Sequence, residues 1–373
     1  MRKMSSRLSS VCLAALAVLC AFISARAQKP PPASGKTAGQ EFKNIQVLKD
    51  IPADQLIPSM QFMSASLGVE CEFCHVERAF DKDDKKEKGF ARHMIEMVTN
   101  INKDNFEGKR WVTCYSCHRG AAKPNSVPII TAEEKIQLPG AVADSGLKPA
   151  LPKPESLFEK YLAAVGGTDA FKKITSRVQK GTVTVSGNQK MPIEIYSKAP
   201  NLRVSTVHRK DLDSVTGFDG KTGWMSVPGR VRLMTAQESE GAGMDADLAF
   251  PAHLDSMFTK LEVEEGEKVD GHITWLVVGE SEGKPPVRLF FDQRSGLLLR
   301  LLRYNDSPLG LNPLQIDFAD YRDSGGVKIP FRWTQARPGN RFTIQVESSE
   351  QNVSIDDVKF ARPTATSAPP PAH

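Results

Sequence analysis

Two short runs, Cys71-Glu72-Phe73-Cys74-His75 and Cys114-Tyr115-Ser116-Cys117-His118, constrain this chain more than any other feature. C-x-x-C-H places two thiols one turn apart and a histidine directly after the second. That is the arrangement for covalent haem attachment, in which the thiols add to the two vinyl groups and the histidine becomes the proximal iron ligand. Three other chemistries use paired cysteines. A structural zinc site would leave both histidines coincidental, and 39 residues separate the pairs, more than zinc ribbons use. Two disulfides would also leave His75 and His118 unexplained. A thioredoxin-like redox motif needs a βαβ setting that the flanking sequence lacks.

The cysteine count agrees with export. Arg2, Lys3 and Arg7 precede an apolar stretch from Val11 to Ile23, and Ala25-Arg26-Ala27 has the form of a cleavage site. Residues 1–27 read as a secretory signal, too short in its apolar part for a membrane span. Cys12 and Cys20 leave with it, so every remaining cysteine lies in one of the two motifs. The signal holds four basic residues and no acid, and its loss takes the net charge from +5 to +1. Nucleic-acid binding therefore has no electrostatic support. The expected location is the periplasm, with peripheral attachment to a membrane left open.

The segments before the motifs supply candidates for the second axial ligand, which sets a haem's potential. Leu56, Met60, Met63 and Leu67 recur at helical spacing, with Pro58 in the first turn and Gly68 as a stop. Phe90, Met94, Met97 and Ile101 repeat that spacing within Lys88–Asn102. A helix with Met-x-x-Met followed by C-x-x-C-H thus occurs twice. One methionine of each pair reads as ligand and the other as packing, while His93 offers a bis-histidine alternative.

These residues together resemble the cytochrome subunit of photosynthetic reaction centres, over about 42–124. The match runs through Met60-x-x-Met63 and Leu67-Gly68, Cys71-x-Phe73-Cys74-His75, Ala91-Arg92-His93-Met94-x-x-Met97 with Ile101-Asn102, and Val112-Thr113-Cys114-Tyr115-Ser116-Cys117-His118-Arg119-Gly120. The resemblance implies two haem c groups with His75 and Met60 on one iron and His118 and Met94 on the other. Met63 and Met97 then pack. The subunit resembled carries four haems built from two such units, and this chain has one unit. The haem chemistry carries over; a photosynthetic partner is not implied.

The rest of the chain reads differently. The run Glu77–Lys88 is mostly charged and reads as solvated surface, or as the rim that steers a redox partner. Residues 28–40 and the Pro-rich stretch 125–154 read as linkers, and 363–373 as a disordered tail. Between them, Glu155–Val165 is helical, with Leu157, Tyr161 and Val165 on one face, Gly166-Gly167 as the stop, and a short helix to Ile174. Alternation at Met191, Ile193 and Ile195 and at Phe342, Ile344 and Val346 marks strands, and Asp219-Gly220 and Asp292–Gly296 mark turns. Gly241–Lys260 reads as a part-helical insertion. Helix-then-strand order, with Phe218-Asp219-Gly220, Phe291-Asp292 and Gly296-Leu297, weakly resembles the periplasmic lipoprotein-carrier half-barrel. That resemblance would make Trp224, Met225, Phe290, Leu298 and Trp333 the lining of an apolar cavity for a lipid or other apolar ligand. His208, His253 and His272 have no acidic or nucleophilic residue beside them in sequence.

The fold expected is multidomain: a small, mainly α-helical two-haem cytochrome c unit at 41–124, then an antiparallel, curved β-sheet unit with a few helices at 155–362. The function expected is electron carriage through two thioether-bonded, His/Met-ligated haems, with redox proteins as partners and no catalysis. Peroxidase-type chemistry at an open iron, and lipid binding with redox sensing, are the alternatives. Neutral thioether ligation favours ferrous iron over bis-histidine ligation, so fairly high potentials are expected.

Overall fold

A computed structural model describes residues 35–124, 151–210, 213–227, 230–337 and 340–363. The expected signal, most of both linkers and all but the first residue of the tail lie outside these residues. The described chain has a helical N-terminal region followed by one curved antiparallel sheet of thirteen strands.

The helical region holds a short helix α1 (Ala38–Glu41), α2 (Leu56–Leu67), α3 (Lys86–Asn105) and the turn-length α4 (Cys114–His118). Gly68 ends α2 in the left-handed conformation, as its place in the sequence predicts. The buried stripe of α2 is not Leu56-Met60-Met63-Leu67. Leu56, Ser59, Phe62 and Ser66 are buried, whereas Met60, Met63 and Leu67 are only half-buried. On α3 the departure is larger. Ile95, Val98 and Asn102 face inward, and Phe90, Met94 and Met97 are 61%, 40% and 41% exposed.

In the second region, α5 (Pro154–Ala164) and α6 (Thr168–Phe171) precede the strands, and Leu157, Tyr161 and Val165 are all buried. Strands β1 (Ser176–Thr184), β2 (Lys190–Lys198), β3 (Leu202–Val207), β4 (Ser214–Asp219), β5 (Gly223–Val227) and β6 (Arg230–Leu233) run outward as a meander. Helices α7 (Ala236–Ala246) and α8 (Phe250–His253) then carry the chain to the opposite edge. From there β7 (Lys260–Glu265), β8 (Thr274–Glu280), β9 (Val287–Asp292), β10 (Leu298–Ser307), β11 (Gly310–Ser324), β12 (Val327–Arg337) and β13 (Asn340–Gln351) return, and β13 pairs with β1. Short turns between antiparallel neighbours make this order cheap in loop entropy.

Alternation along the strands gives the sheet two apolar faces. Val183, Ile193, Ile195, Leu289, Leu301 and Ile344 pack beneath α5 and α6. On the other side Val204 and Trp224 are covered by Ile355 and Phe360 of the C-terminal segment. This division overturns the expected cavity lining. Trp224 belongs to the second cluster, Phe290 to a third with Val269, Leu276 and Val278, and Leu298 to the main core. None of the five named residues lines the hollow of about 460 Å³ between α7, α8 and β8–β10. Period-2 alternation cannot say which face of a curved sheet a run of apolar residues supplies.

The two regions touch. The β10–β11 hairpin inserts Leu309 into a small core with Phe62, Ile95 and Cys114. Asn312 donates to the Pro58 carbonyl at 3.0 Å, Arg110 pairs with Asp306 at 2.6 Å and also donates to the Ser307 carbonyl.

Candidate functional site

Each C-x-x-C-H folds as a single turn. Cys71–Phe73 form a 3-10 turn in which His75 N–H bonds the Cys71 carbonyl at 3.0 Å. The second motif is α4 itself, capped by Thr113, whose N–H bonds the Ser116 hydroxyl at 3.0 Å. Cys71 and Cys117 are exposed, Cys74 is half-buried and Cys114 is buried. All four thiols are free. Burial pushes the Cys74 and Cys114 thiols up, with Glu87 adding to the effect at Cys74. Among the described residues no three His, Cys, Asp or Glu side chains converge as a metal cluster, so the geometry gives the zinc reading no support.

The two histidines are held alike. His75 Nδ1 lies 3.0 Å from the Phe80 carbonyl oxygen, and His118 Nδ1 lies 3.0 Å from that of Ala121. A carbonyl only accepts, so each Nδ1 carries a proton, and Nε2 is the nitrogen left over for a metal. A backbone partner on the far nitrogen is how a metal-binding imidazole is oriented. Burial lowers the His75 pKa, the bond to Phe80 opposes this, and Lys88, Arg92 and Lys85 lower it further.

The loop after the first motif is built to hold that carbonyl. Lys88, only 8% exposed, donates from Nζ to Phe80 O at 3.0 Å and to Lys82 O at 2.7 Å. Asp83 lies 2.9 Å from Lys88 Nζ, receives two bonds from Arg92 at 2.9 and 3.0 Å, and accepts from Asn44 at 2.9 Å. Arg92, then Lys88 and Asn44, hold the Asp83 carboxyl far below the usual carboxylate range. Part of the charged run Glu77–Lys88 is therefore internal scaffolding. Composition cannot show this, because a charge run looks the same whether its partners are solvent or each other.

The second motif is fixed from both sides. Asn102 near the end of α3 makes a double bond pair with Val112, its amide donating to Val112 O at 2.7 Å and its oxygen accepting from Val112 N–H at 3.0 Å. Gly120 N–H bonds Ser66 O of α2 at 2.9 Å. Of the methionines, Met60 and Met63 are half-buried on α2, and Met94 and Met97 are exposed on α3. His93 is exposed on α3 and makes no hydrogen bond.

Exposed apolar side chains concentrate here: Phe73, Phe80, Phe90, Met94, Met97, Trp111 and Tyr115. An apolar helix face left open beside free thiols and oriented imidazoles is what a flat, apolar tetrapyrrole would cover, so the residues fit a haem. Three other histidines among the described residues, unremarkable in sequence, have carboxylates in space: His208 with Asp213 at 3.1 Å, His253 with Asp247 at 2.7 Å and His272 with Asp292 at 3.5 Å. These partners lie five, six and twenty residues away and had no adjacent signal. The three pairs lie on separate segments and form no shared centre.

Residues 17–199 match the family model of the photosynthetic reaction centre cytochrome C subunit. Over 120 residues the chain is 32% identical to the photosynthetic reaction center cytochrome c subunit of Thermochromatium tepidum, covering 31% of this chain and 28% of that protein. It is 34% identical over 91 residues to cytochrome c-554 of Chloroflexus aurantiacus, covering 22% of this chain and 21% of that protein. The chain thus spans less than a third of the length of these relatives. Among solved structures, a LolA superfamily protein from Nitrosomonas europaea aligns with a TM-score of 0.38 at 12% identity, over 56% of this chain and 97% of that one.

Proposed function

We propose, from the premise that the N-terminal part of this chain is a c-type cytochrome similar to the reaction-centre subunit, that the protein is an exported two-haem electron carrier. That similarity implies covalently bound haem c. Cys71 and Cys74 hold one group and Cys114 and Cys117 the other. His75 and His118 supply one ligand to each iron, and Met60 and Met94 the second. The haem supplies the one-electron chemistry when bound. The chain orients each imidazole through its Nδ1, buries the Cys114 thiol and leaves the Cys71 thiol exposed.

The observation that carries this reading is the pair of Nδ1–carbonyl bonds at 3.0 Å. They leave both Nε2 atoms out of that bond, each in a motif that carries two free thiols, in a sequence unit that occurs twice. Partners are redox proteins that dock on the exposed apolar rim around Phe73, Trp111 and Tyr115. The unit at 41–124 is the cytochrome, and the unit at 155–362 is its docking or scaffold module. Export places both in the periplasm, and among the described residues no helix is long and apolar enough to cross a membrane.

A redox-titrated absorption spectrum of residues 28–373, matured in a host that attaches c-type haem, tests the reading. Two low-spin haems per chain with a methionine–iron charge-transfer band are expected. One haem per chain, or a high-spin component in the resting protein, would overturn the ligand assignment. Failure to attach haem would overturn the function.

A further inference from the structure

The helix-covered face of the sheet changes chemistry along its length. Beneath α5 it is aliphatic. Towards α7 it is cationic. Arg177 of β1 and Arg203 of β3 both stand opposite Ser197 of β2, through the register pairs Arg177↔Ser197 and Ser197↔Arg203. Period-2 alternation places them on the face that carries Val183, Ile193 and Ile195. Arg232 of β6 and Arg303 of β10 extend the cationic stretch under α7, which brings Glu238 and Asp245 to meet them.

Those last two arginines are matched. Arg232 forks onto Glu238 at 2.7 and 3.0 Å, and Arg303 onto Asp245 at 2.8 and 2.7 Å. Arg177 and Arg203 are not. Arg203 donates only to the Ser197 hydroxyl, at 3.3 Å. Arg177 donates from Nε to the Gln351 amide oxygen at 3.3 Å, and its Nη2 is buried with no acceptor. Burial pulls Arg177 down to about 10, with the Arg203 charge adding to the effect, and burial lowers Arg203 as well. Both side chains nevertheless keep part of their surface open to solvent.

Asp245 lies near enough to offset part of the burial at Arg203, but neither arginine hydrogen-bonds a carboxylate and Arg177 keeps an unused buried donor, so two like charges across one serine remain costly unless an anion joins them. The planar guanidinium fork fits the oxygens of phosphate, and two monocations match a dianion in charge. We propose that Arg177, Arg203 and Ser197 form a binding site for a phosphate group, free or carried on an organic molecule. The site is separate from the haem motifs, and the β-sheet region then has a ligand of its own.

The haem-loaded full-length protein, titrated calorimetrically at constant ionic strength with inorganic phosphate and separately with dodecyl phosphate, tests this. One saturable site is expected, weakened about tenfold by Arg203→Met, the size of one lost charge-assisted bond. Arg177→Lys, which keeps the charge and loses the fork, should bind more weakly than the parent and better than Arg177→Met. Arg177→Met should also melt no lower than the parent without ligand, because it removes an uncompensated charge. Heat from both probes assigns a free phosphate, and heat from dodecyl phosphate alone assigns a phosphorylated amphiphile. No saturable heat from either, or equal binding by Arg203→Met and Arg177→Met to the parent, overturns the proposal.

Discussion

The Phe80 carbonyl accepts two donors, the His75 ring and the Lys88 ammonium, both at 3.0 Å. Lys88 also puts a positive charge near His75, the proposed iron ligand, and a cation there opposes the ferric state. Lys88→Met should therefore lower one of the two haem potentials by on the order of 40 mV, the equivalent of about 1 kcal/mol for one electron. The second potential should stay fixed, because His118 is held by Ala121 and owes nothing to Lys88. A redox titration resolving both haems checks this, and equal movement of both would remove the special role of Lys88. Asp83 gives a prediction in pH. Its carboxyl is depressed by Arg92, Lys88 and Asn44, so the clamp it forms is in place above the unfolded carboxylate value and is lost only as pH falls through the depressed one. The first haem's spectrum should be unchanged from pH 7 to about 4, where an ordinary aspartate is half protonated. Asp83→Asn should instead show an altered spectrum throughout that range. At this scale the residues proposed to hold haem are legible because C-x-x-C-H is a local code. Asp83, Lys88, Arg92 and Asn44 are not, because their roles depend on bonds that span up to 48 residues.

Two glycines separate packing from propensity at the scale of elements. Gly68 caps α2 at φ +64°, and a Cβ there would overlap the Gly120 carbonyl oxygen, backbone that follows the second motif. Gly68→Ala is expected to cost about 1–3 kcal/mol, since neither the left-handed conformation nor the backbone contact can yield cheaply. Gly89 sits inside α3 with nothing within 4 Å of its would-be Cβ. Gly89→Ala should stabilise by about 0.5–1 kcal/mol, the propensity difference alone. Chemical denaturation of both variants checks the pair. The sequence marked Gly68 as a stop but could not show what it touches. It likewise gave both helices at nearly their observed length while misplacing their buried faces. The apolar stripe Phe90-Met94-Met97-Ile101 was correctly seen as apolar; the structure leaves most of it open, and helical period alone cannot distinguish a face that meets protein from one that meets a prosthetic group.

Across the whole molecule, the β10–β11 hairpin makes the sheet part of the second C-x-x-C-H motif's surroundings. Leu309 is 7% exposed and shares its cluster with Phe62 of α2, Ile95 of α3 and Cys114 of the motif itself. This contact was not legible, since it joins residues 195 to 247 positions apart through a hairpin tip whose sequence reads only as a turn. Truncating Leu309 to alanine opens a cavity shared by both regions, and the expected cost is about 2–3 kcal/mol. Because the cavity adjoins Cys114 and not Cys71, the loss should fall on one haem. Unfolding in denaturant can be followed separately by haem absorbance and by the fluorescence of Trp224, Trp275 and Trp333, all in the sheet. In the parent the two signals should change together, as expected when a shared core couples two regions. In Leu309→Ala, and more so with Asp306→Ala removing the Arg110 pair, half of the haem signal should change at lower denaturant than the sheet. If both signals move down together in the variants, the hairpin is ordinary core. If the haem signal does not move at all, the sheet gives the second motif no support, and a scaffold role for it would have to rest on a different surface.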